Sequence, residues 1–310
     1  MRLLCYAAAL YVWRRREMAD KDGLKVSKDY RTDVPFANKE PFYVKGANNL
    51  DWGMKRHLAN IFNPVSGNTV MFAFDHGYFM GSVSGLERLD LVIPKLLPAI
   101  DVLMGTRGAI RTCVPADTGK SIALRVSSGS SMINDDLSHE IVAVDIEDSI
   151  RMGADCIAVQ TFIGADGQLS SIDNLSTCIN AGLRYSIPVL GVVAVGKDME
   201  RTDRFFKLAT RIVAEMGANL VKTYYCDNFE EVVAACPVPI VVAGGKKLPE
   251  RDALALAYNS IQGGAAGLDM GRNIFQSEHS LEMALAIRKI VHEKFTDKEA
   301  WEFLQDQINS

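Results

Sequence analysis

From residue 70 onward, short apolar runs alternate with longer segments of helical periodicity, and this alternation constrains the fold more than any other feature of the chain. The runs are "VMFAFD" (70–75), "DVLM" (101–104), "SIALRVS" (121–127), "DCIAVQ" (155–160), "PVLGVV" (188–193), "NLVKTYY" (219–225), "PIVVAG" (239–244) and "AGLDMG" (266–271). Most are almost continuously apolar, which is how strands buried on both faces of a parallel sheet read. Helix-like stretches lie between them at 85–100, 146–154, 202–218 and 248–264. Thr202 or Asp203 can cap the third of these, and Pro249 suits the first turn of the fourth. Gly153, Gly217 and Gly264 stand where helix ends favour glycine.

Eight strand–helix units match an α/β chain folded as a (β/α)8 TIM barrel better than an open doubly wound sheet. "FDHGYFMG", after the first strand, lacks the glycine spacing of a dinucleotide-binding turn. The expected organisation is a barrel over 70–295, an N-terminal extension over 18–69 and a C-terminal helix or tail over 296–310. Residues 1–17 read as a disordered tail or a misassigned start, because "MADKDG" from Met18 looks like an ordinary beginning. The apolar run at 3–13 is too short to span a bilayer, and Arg14, Arg15 and Arg16 follow where a signal peptide needs small residues. No membrane role is expected.

A net charge of −4 with no other basic run argues against nucleic acid as a partner and leaves small anions open. The six cysteines, Cys5, Cys113, Cys156, Cys178, Cys226 and Cys236, never form a C-x-x-C pair. That pattern fits reduced thiols in a cytoplasmic protein, with no metal site and no disulfide framework.

In a barrel, functional residues gather at the C-terminal ends of the strands. The polar residues there are Asp75, His76, Thr106, Arg107, Ser127, Gln160, Lys222, Gly244 to Lys247 and Gly271 to Asn273. The loops after the seventh and eighth barrel strands are where barrels most often hold a phosphate. Gly244, Gly245 and Gly271 would admit an anion close to the backbone, with Arg272 as a bidentate fork and Lys246 at the rim. The structural alternative is a tight turn at the glycines and a salt bridge at Arg272.

Lys222 interrupts an apolar strand. Burial favours the neutral amine, which can attack a carbonyl and form a Schiff base. A lysine snorkelling to solvent is the structural alternative. Asp75 could move a proton or hold an imine's charge, and it could also cap a helix or pair with Lys222. His76 reads more readily as a hydrogen-bonded structural residue, with Ser127 and Gln160 as supporting groups. Cys226 shares the parity of Lys222 but reads first as a buried inert thiol.

"FDHGYF", "KTYY", "AGGKKLP" and "GRNIF" resemble the archaeal-type class I aldolase (DeoC/FbaB-like) family, and the resemblance spans about residues 18 to 295. It implies a Schiff-base lysine at Lys222, a strand-1 aspartate at Asp75 and phosphate loops at Gly244, Gly245, Gly271 and Arg272. One departure matters: the family's tyrosine acid/base at the end of the fifth barrel strand is missing, since Val193, Ala194 and Val195 stand there. The longer motifs "NIFNPVSGNTVM", "AVGKDM" and "CPVPIVVAGGKKLPER" look close to members that transfer the acetyl group of a phosphorylated 2,4-dione to coenzyme A in autoinducer-2 breakdown. The resemblance thus implies an acyltransferase with coenzyme A as co-substrate, no permanently bound cofactor and a homo-oligomeric ring, a decamer. A sugar-phosphate class I aldolase and a non-catalytic phosphosugar-binding protein are the alternatives.

Overall fold

The described residues form ten β-strands: β1 (Thr69–Ala73), β2 (Val102–Thr106), β3 (Ser121–Arg125), β4 (Ser127–Gly129), β5 (Glu140–Val142), β6 (Cys156–Thr161), β7 (Val189–Val193), β8 (Leu220–Tyr224), β9 (Ile240–Ala243) and β10 (Gly267–Met270). Eight of them close a barrel in the order β1-β10-β9-β8-β7-β6-β3-β2, every pairing parallel. Each of the eight apolar runs supplies one of these strands, and the (β/α)8 expectation holds. β4 and β5 form a small antiparallel hairpin beyond the end of β3, which sequence reading did not foresee.

This computed structural model describes residues 31–35, 41–195 and 200–309. The chain divides at Pro41. In the first unit, Val34 N–H donates to the Arg31 carbonyl to close a turn. The apolar run at 3–13, the 1–17 segment and Cys5 lie outside the described residues, among which no helix is long and apolar enough to cross a membrane.

Strand alternation divides the core of the second unit into two shells. Val70, Phe72, Leu103, Leu124, Val159, Val221 and Val242 point outward into the helix layer. Met71, Ala73, Met104, Ala158, Val192, Leu220 and Val241 point to the axis. The inner shell continues into Val44, Ala47, Leu58, Ile61 and Phe62, so residues 42–62 plug the barrel floor. Ser121 Oγ donates to the Asn60 carbonyl at 2.8 Å and Asn60 Nδ2 to Asp155 at 2.6 Å, which places the plug at the strand starts. Each large apolar residue buried there contributes about 1.5–3 kcal/mol relative to exposure.

The helix Asp203–Met216 shows how local sequence sets an element. Thr202 caps it, its hydroxyl accepting from Phe205 N–H, while Phe206, Ala209, Thr210, Val213 and Ala214 form the buried face. Gly217 ends it at φ +115°, a conformation that favours glycine. Pro249 takes the N-cap position of the helix Glu250–Gln262, one residue earlier than expected. The helix expected from residue 85 begins only at Leu89, because Gly81 and Gly85 adopt φ +70° and +86° and cannot propagate a right-handed turn. Helices Ser280–Glu293 and Asp297–Asn309 complete the chain.

Candidate active site

Lys222 sits in the middle of β8 on its inward face. Its side chain is only 11% exposed, and Nζ lies 2.8 Å from Asp269 Oδ2 and 3.4 Å from Met104 Sδ. The lysine therefore stays inside the barrel, and the snorkelling alternative fails. Asp269, on the inward face of β10, has no exposed side-chain surface. No donor other than the Lys222 ammonium reaches either Asp269 oxygen among the described residues. Burial raises the Asp269 carboxyl above the usual carboxylate range, and the Lys222 ammonium opposes that shift without cancelling it.

Asp75 follows β1 and is also buried, yet its environment is opposite. Arg125, at the end of β3 with a 3% exposed side chain, donates from Nη1 to Asp75 Oδ2 at 3.1 Å. Burial alone would raise the Asp75 carboxyl; the Arg125 guanidinium, then the Lys222 ammonium and His76, outweigh it and hold it below the usual range. Arg125 also donates from Nε to the Ser127 carbonyl at 2.8 Å and from Nη2 to Glu140 Oε1 at 2.8 Å. The Tyr78 hydroxyl donates to the same Glu140 oxygen at 2.7 Å. Glu140 arrives on β5, which Asn174 Nδ2 pins through the Glu140 carbonyl at 2.7 Å. The hairpin thus delivers a second carboxylate to the buried guanidinium.

His76 Nδ1 is buried, 3.8 Å from Asp75 Oδ1 and without a hydrogen-bond partner. Burial holds the imidazole below its ordinary pKa, so it is neutral at neutral pH. Ser127 Oγ accepts from the Gln160 backbone N–H at 3.0 Å, joining those two residues structurally. Thr106 caps the helix Arg107–Cys113, and Arg107 turns outward to Asp148 at 2.9 Å, away from the barrel mouth. Cys226 leaves the strand parity once β8 ends, packs in the outer shell and has its thiol pushed up to about 11 by burial.

The two loops after β9 and β10 are tied together. Asn273 Nδ2 donates to the Gly244 carbonyl and its Oδ1 accepts from Leu248 N–H, both at 2.8 Å. A Cβ on Gly244 would meet Asn273 Nδ2 at 2.8 Å, and one on Gly271 would meet the Ala73 carbonyl at 2.6 Å, so both glycines permit close packing of the loops. Gly245 adopts φ +70°. Lys246 is exposed, whereas the Lys247 ammonium and Arg272 Nε are buried without a partner. Arg201, from the loop after β7, lies over the Tyr224 ring at 4.0 Å and beside Gly245.

Sequence reasoning named Lys222 and Asp75 but passed over Asp269, Arg125, Glu140 and Arg201. The signal for two of them was present: Asp269 and Arg125 interrupt apolar strands just as Lys222 does. The assembled site offers a buried amine between two carboxylates of opposite character, with unpaired cationic donors on the loops above.

Residues 69–277 match the DeoC/LacD family aldolase model. An uncharacterized aldolase of Pasteurella multocida is 50% identical over 94% of this chain and 100% of its own length. The 3-hydroxy-5-phosphonooxypentane-2,4-dione thiolase of Enterobacter sp. is 51% identical over 94% of this chain and 98% of its own. Its Escherichia coli K12 counterpart is 50% identical over 92% and 98%. An archaeal fructose 1,6-bisphosphate aldolase structure superposes with TM-score 0.70 at 22% identity, covering 77% of this chain and 99% of that one, and so shares the fold. With the family model covering the barrel and relatives at half identity covering nearly the whole chain, this protein belongs to the DeoC/LacD family of aldolases.

Proposed function

We propose that the protein is an acyltransferase that moves the acetyl group of 3-hydroxy-5-phosphonooxypentane-2,4-dione to coenzyme A, giving dihydroxyacetone phosphate and acetyl-CoA in the breakdown of phosphorylated autoinducer-2. The observation that carries the reading is the barrel lysine, Lys222, enclosed by Asp269 and Asp75 in a chain half identical to relatives that bear the thiolase name.

In this reading Lys222 forms an imine with the substrate carbonyl nearest the phosphate. The coenzyme A thiolate attacks the acetyl carbonyl, and the carbon–carbon bond breaks. Its electron pair moves into the iminium, which is the electron sink, and the resulting enamine takes a proton at carbon. Hydrolysis then frees dihydroxyacetone phosphate. Asp75, held ionised by Arg125, keeps a fixed negative charge beside the iminium. Arg272, Lys247, Lys246 and the Gly244, Gly245 and Gly271 loops hold the phosphate. The buried, unpaired Arg272 Nε and Lys247 Nζ support that assignment, because such donors are costly unless a ligand satisfies them.

The valines and alanine at the end of β7 support acetyl transfer over aldol cleavage, since no tyrosine stands there to move a hydroxyl proton. Release of acetyl-CoA from the dione phosphate and coenzyme A tests the reading. Cleavage of fructose 1,6-bisphosphate without coenzyme A would replace it with a sugar-phosphate aldolase. Phosphosugar binding with neither reaction would replace it with a binding protein. The same reading places the enzyme in the cytoplasm as a ring-shaped homo-oligomer, which light scattering on the purified chain checks.

A further inference from the structure

Two buried carboxylates flank Lys222, and the surrounding residues treat them differently. Asp75 is clamped by the Arg125 guanidinium, which a second carboxylate and a phenol hold in place. Asp269 has no such partner. Its side chain is wholly buried, no other group among the described residues donates to its oxygens, and the 2.8 Å contact with Lys222 Nζ is its one close ionic neighbour. The other titratable groups that bear on it are Asp75, whose charge raises its proton affinity, and the buried Cys156 thiol, which burial keeps protonated. When two carboxyl groups at one site are pushed in opposite directions, the environment has already divided the roles between them.

We propose that Asp269 is the proton carrier for imine formation at Lys222, taking the proton that frees the amine and returning it to the oxygen that leaves as water. This rests on the Schiff-base reading above and goes beyond it by naming the acid. The step starts from the ammonium–carboxylate form of the pair. The Lys222 proton passes to Asp269, the freed Nζ lone pair bonds to the carbonyl carbon, and the carbonyl electrons move to oxygen. A proton from Nζ settles on that oxygen to give a neutral carbinolamine. The Asp269 carboxylic acid then protonates the carbinolamine hydroxyl, the C–O bond breaks, water departs, and the nitrogen lone pair closes the C=N bond. Charge and atoms balance: one ammonium and one ketone become one iminium and one water, and Asp269 returns to carboxylate beside the new cation.

The alternatives within the site do not serve. Asp75 holds its charge against Arg125 and carries no proton to give. His76 is neutral, and its buried Nδ1 faces Asp75. Carbinolamine dehydration in a water-poor interior needs an acid within reach of Nζ, and Asp269 is 2.8 Å away.

The test uses dihydroxyacetone phosphate and borohydride, with mass spectrometry of the peptide containing Lys222 as the readout. The full-length wild-type chain should gain the reduced adduct at Lys222. Asp269→Asn, which keeps the shape and removes the titratable group, should trap about 100-fold more slowly, the scale typical of a lost general acid. Its affinity for the ketone phosphate, measured by calorimetry, should stay within about 3-fold. In Asp269→Ala, added formate should restore trapping in proportion to its concentration, a response that a misfolded or merely loosened site would not give. Trapping by Asp269→Asn at the wild-type rate, or Asp269→Ala that does not respond to formate, overturns the proposal. Absence of any adduct in the wild type instead overturns the Schiff-base reading on which it rests.

Discussion

Arg125→Met is the substitution that most directly examines how the site is built. The guanidinium is 3% exposed and ion-paired to Asp75 and Glu140, whose side chains are 9% and 2% exposed. Methionine fills much of the same volume but takes the paired cation from both buried carboxylates, leaving Asp75 with the Lys222 ammonium alone. Removing one partner of a buried ion pair costs about 3–5 kcal/mol. At about 2 °C per kcal/mol for a chain of this size, Tm at pH 7 should fall by roughly 6–10 °C. The pH dependence carries more information than the drop itself. In the wild type the Asp75 carboxyl lies below its unfolded value, so it stabilises the fold above about pH 4 and that contribution is lost on acidification through the folded pKa. Without Arg125, burial dominates and raises the carboxyl. The penalty is then greatest at neutral pH and is relieved as the group protonates on the way to pH 5. Calorimetric melts at pH 7 and pH 5 should therefore show the gap between variant and wild type narrowing as pH falls. A variant that melts within 2 °C of wild type at pH 7, or a gap that widens at pH 5, would refute the assignment of Arg125 as the counter-ion of Asp75.

Lys222→Met should abolish both acetyl-CoA formation and borohydride trapping; turnover above about 1% would remove Lys222 from the chemistry. Arg272→Gln and Lys247→Gln should each raise KM for the phosphorylated dione about 10-fold or more with a smaller effect on kcat, because loss of one charge-assisted phosphate contact costs roughly 1.5–3 kcal/mol. An unchanged KM in steady-state assays would move the phosphate elsewhere. Thr202→Ala removes the hydroxyl that accepts from Phe205 N–H and should lower stability by about 1 kcal/mol in a denaturant titration with no change in kcat.

The strands were legible because burial on both faces leaves a composition that needs no partner to be read: all eight apolar runs became barrel strands. Helix boundaries were less so, since Gly81 and Gly85 postponed the first helix by a backbone choice that periodicity does not register. The hairpin escaped because its strands are three residues each, too short to show alternation amid a polar loop. With it went Glu140, and with Glu140 the reason why Arg125 can be buried at all. For Arg201 the sequence offers only an arginine in a polar stretch, and nothing in that stretch signals its place over Tyr224.

The pairing of Lys222 with Asp269 shows where sequence reasoning stops for a physical reason. Strand parity places both side chains on the barrel axis, but parity says nothing about height. Height comes from the stagger of neighbouring strands, fixed only when the sheet closes. The observed register sets Lys222 opposite Val241 on β9, and Ala243 on β9 opposite Asp269. Across the intervening strand the two residues are therefore offset by two positions, about 6.6 Å at the rise of a parallel strand. A lysine side chain spans that gap, which is why a residue in mid-strand meets a carboxylate nearer the barrel mouth. A shorter cation at 222 would fall below Asp269, and a stagger different by one residue would turn every inward side chain outward. The same closure that makes the barrel thus determines which acid the amine can exchange a proton with, and an isolated strand cannot carry that information.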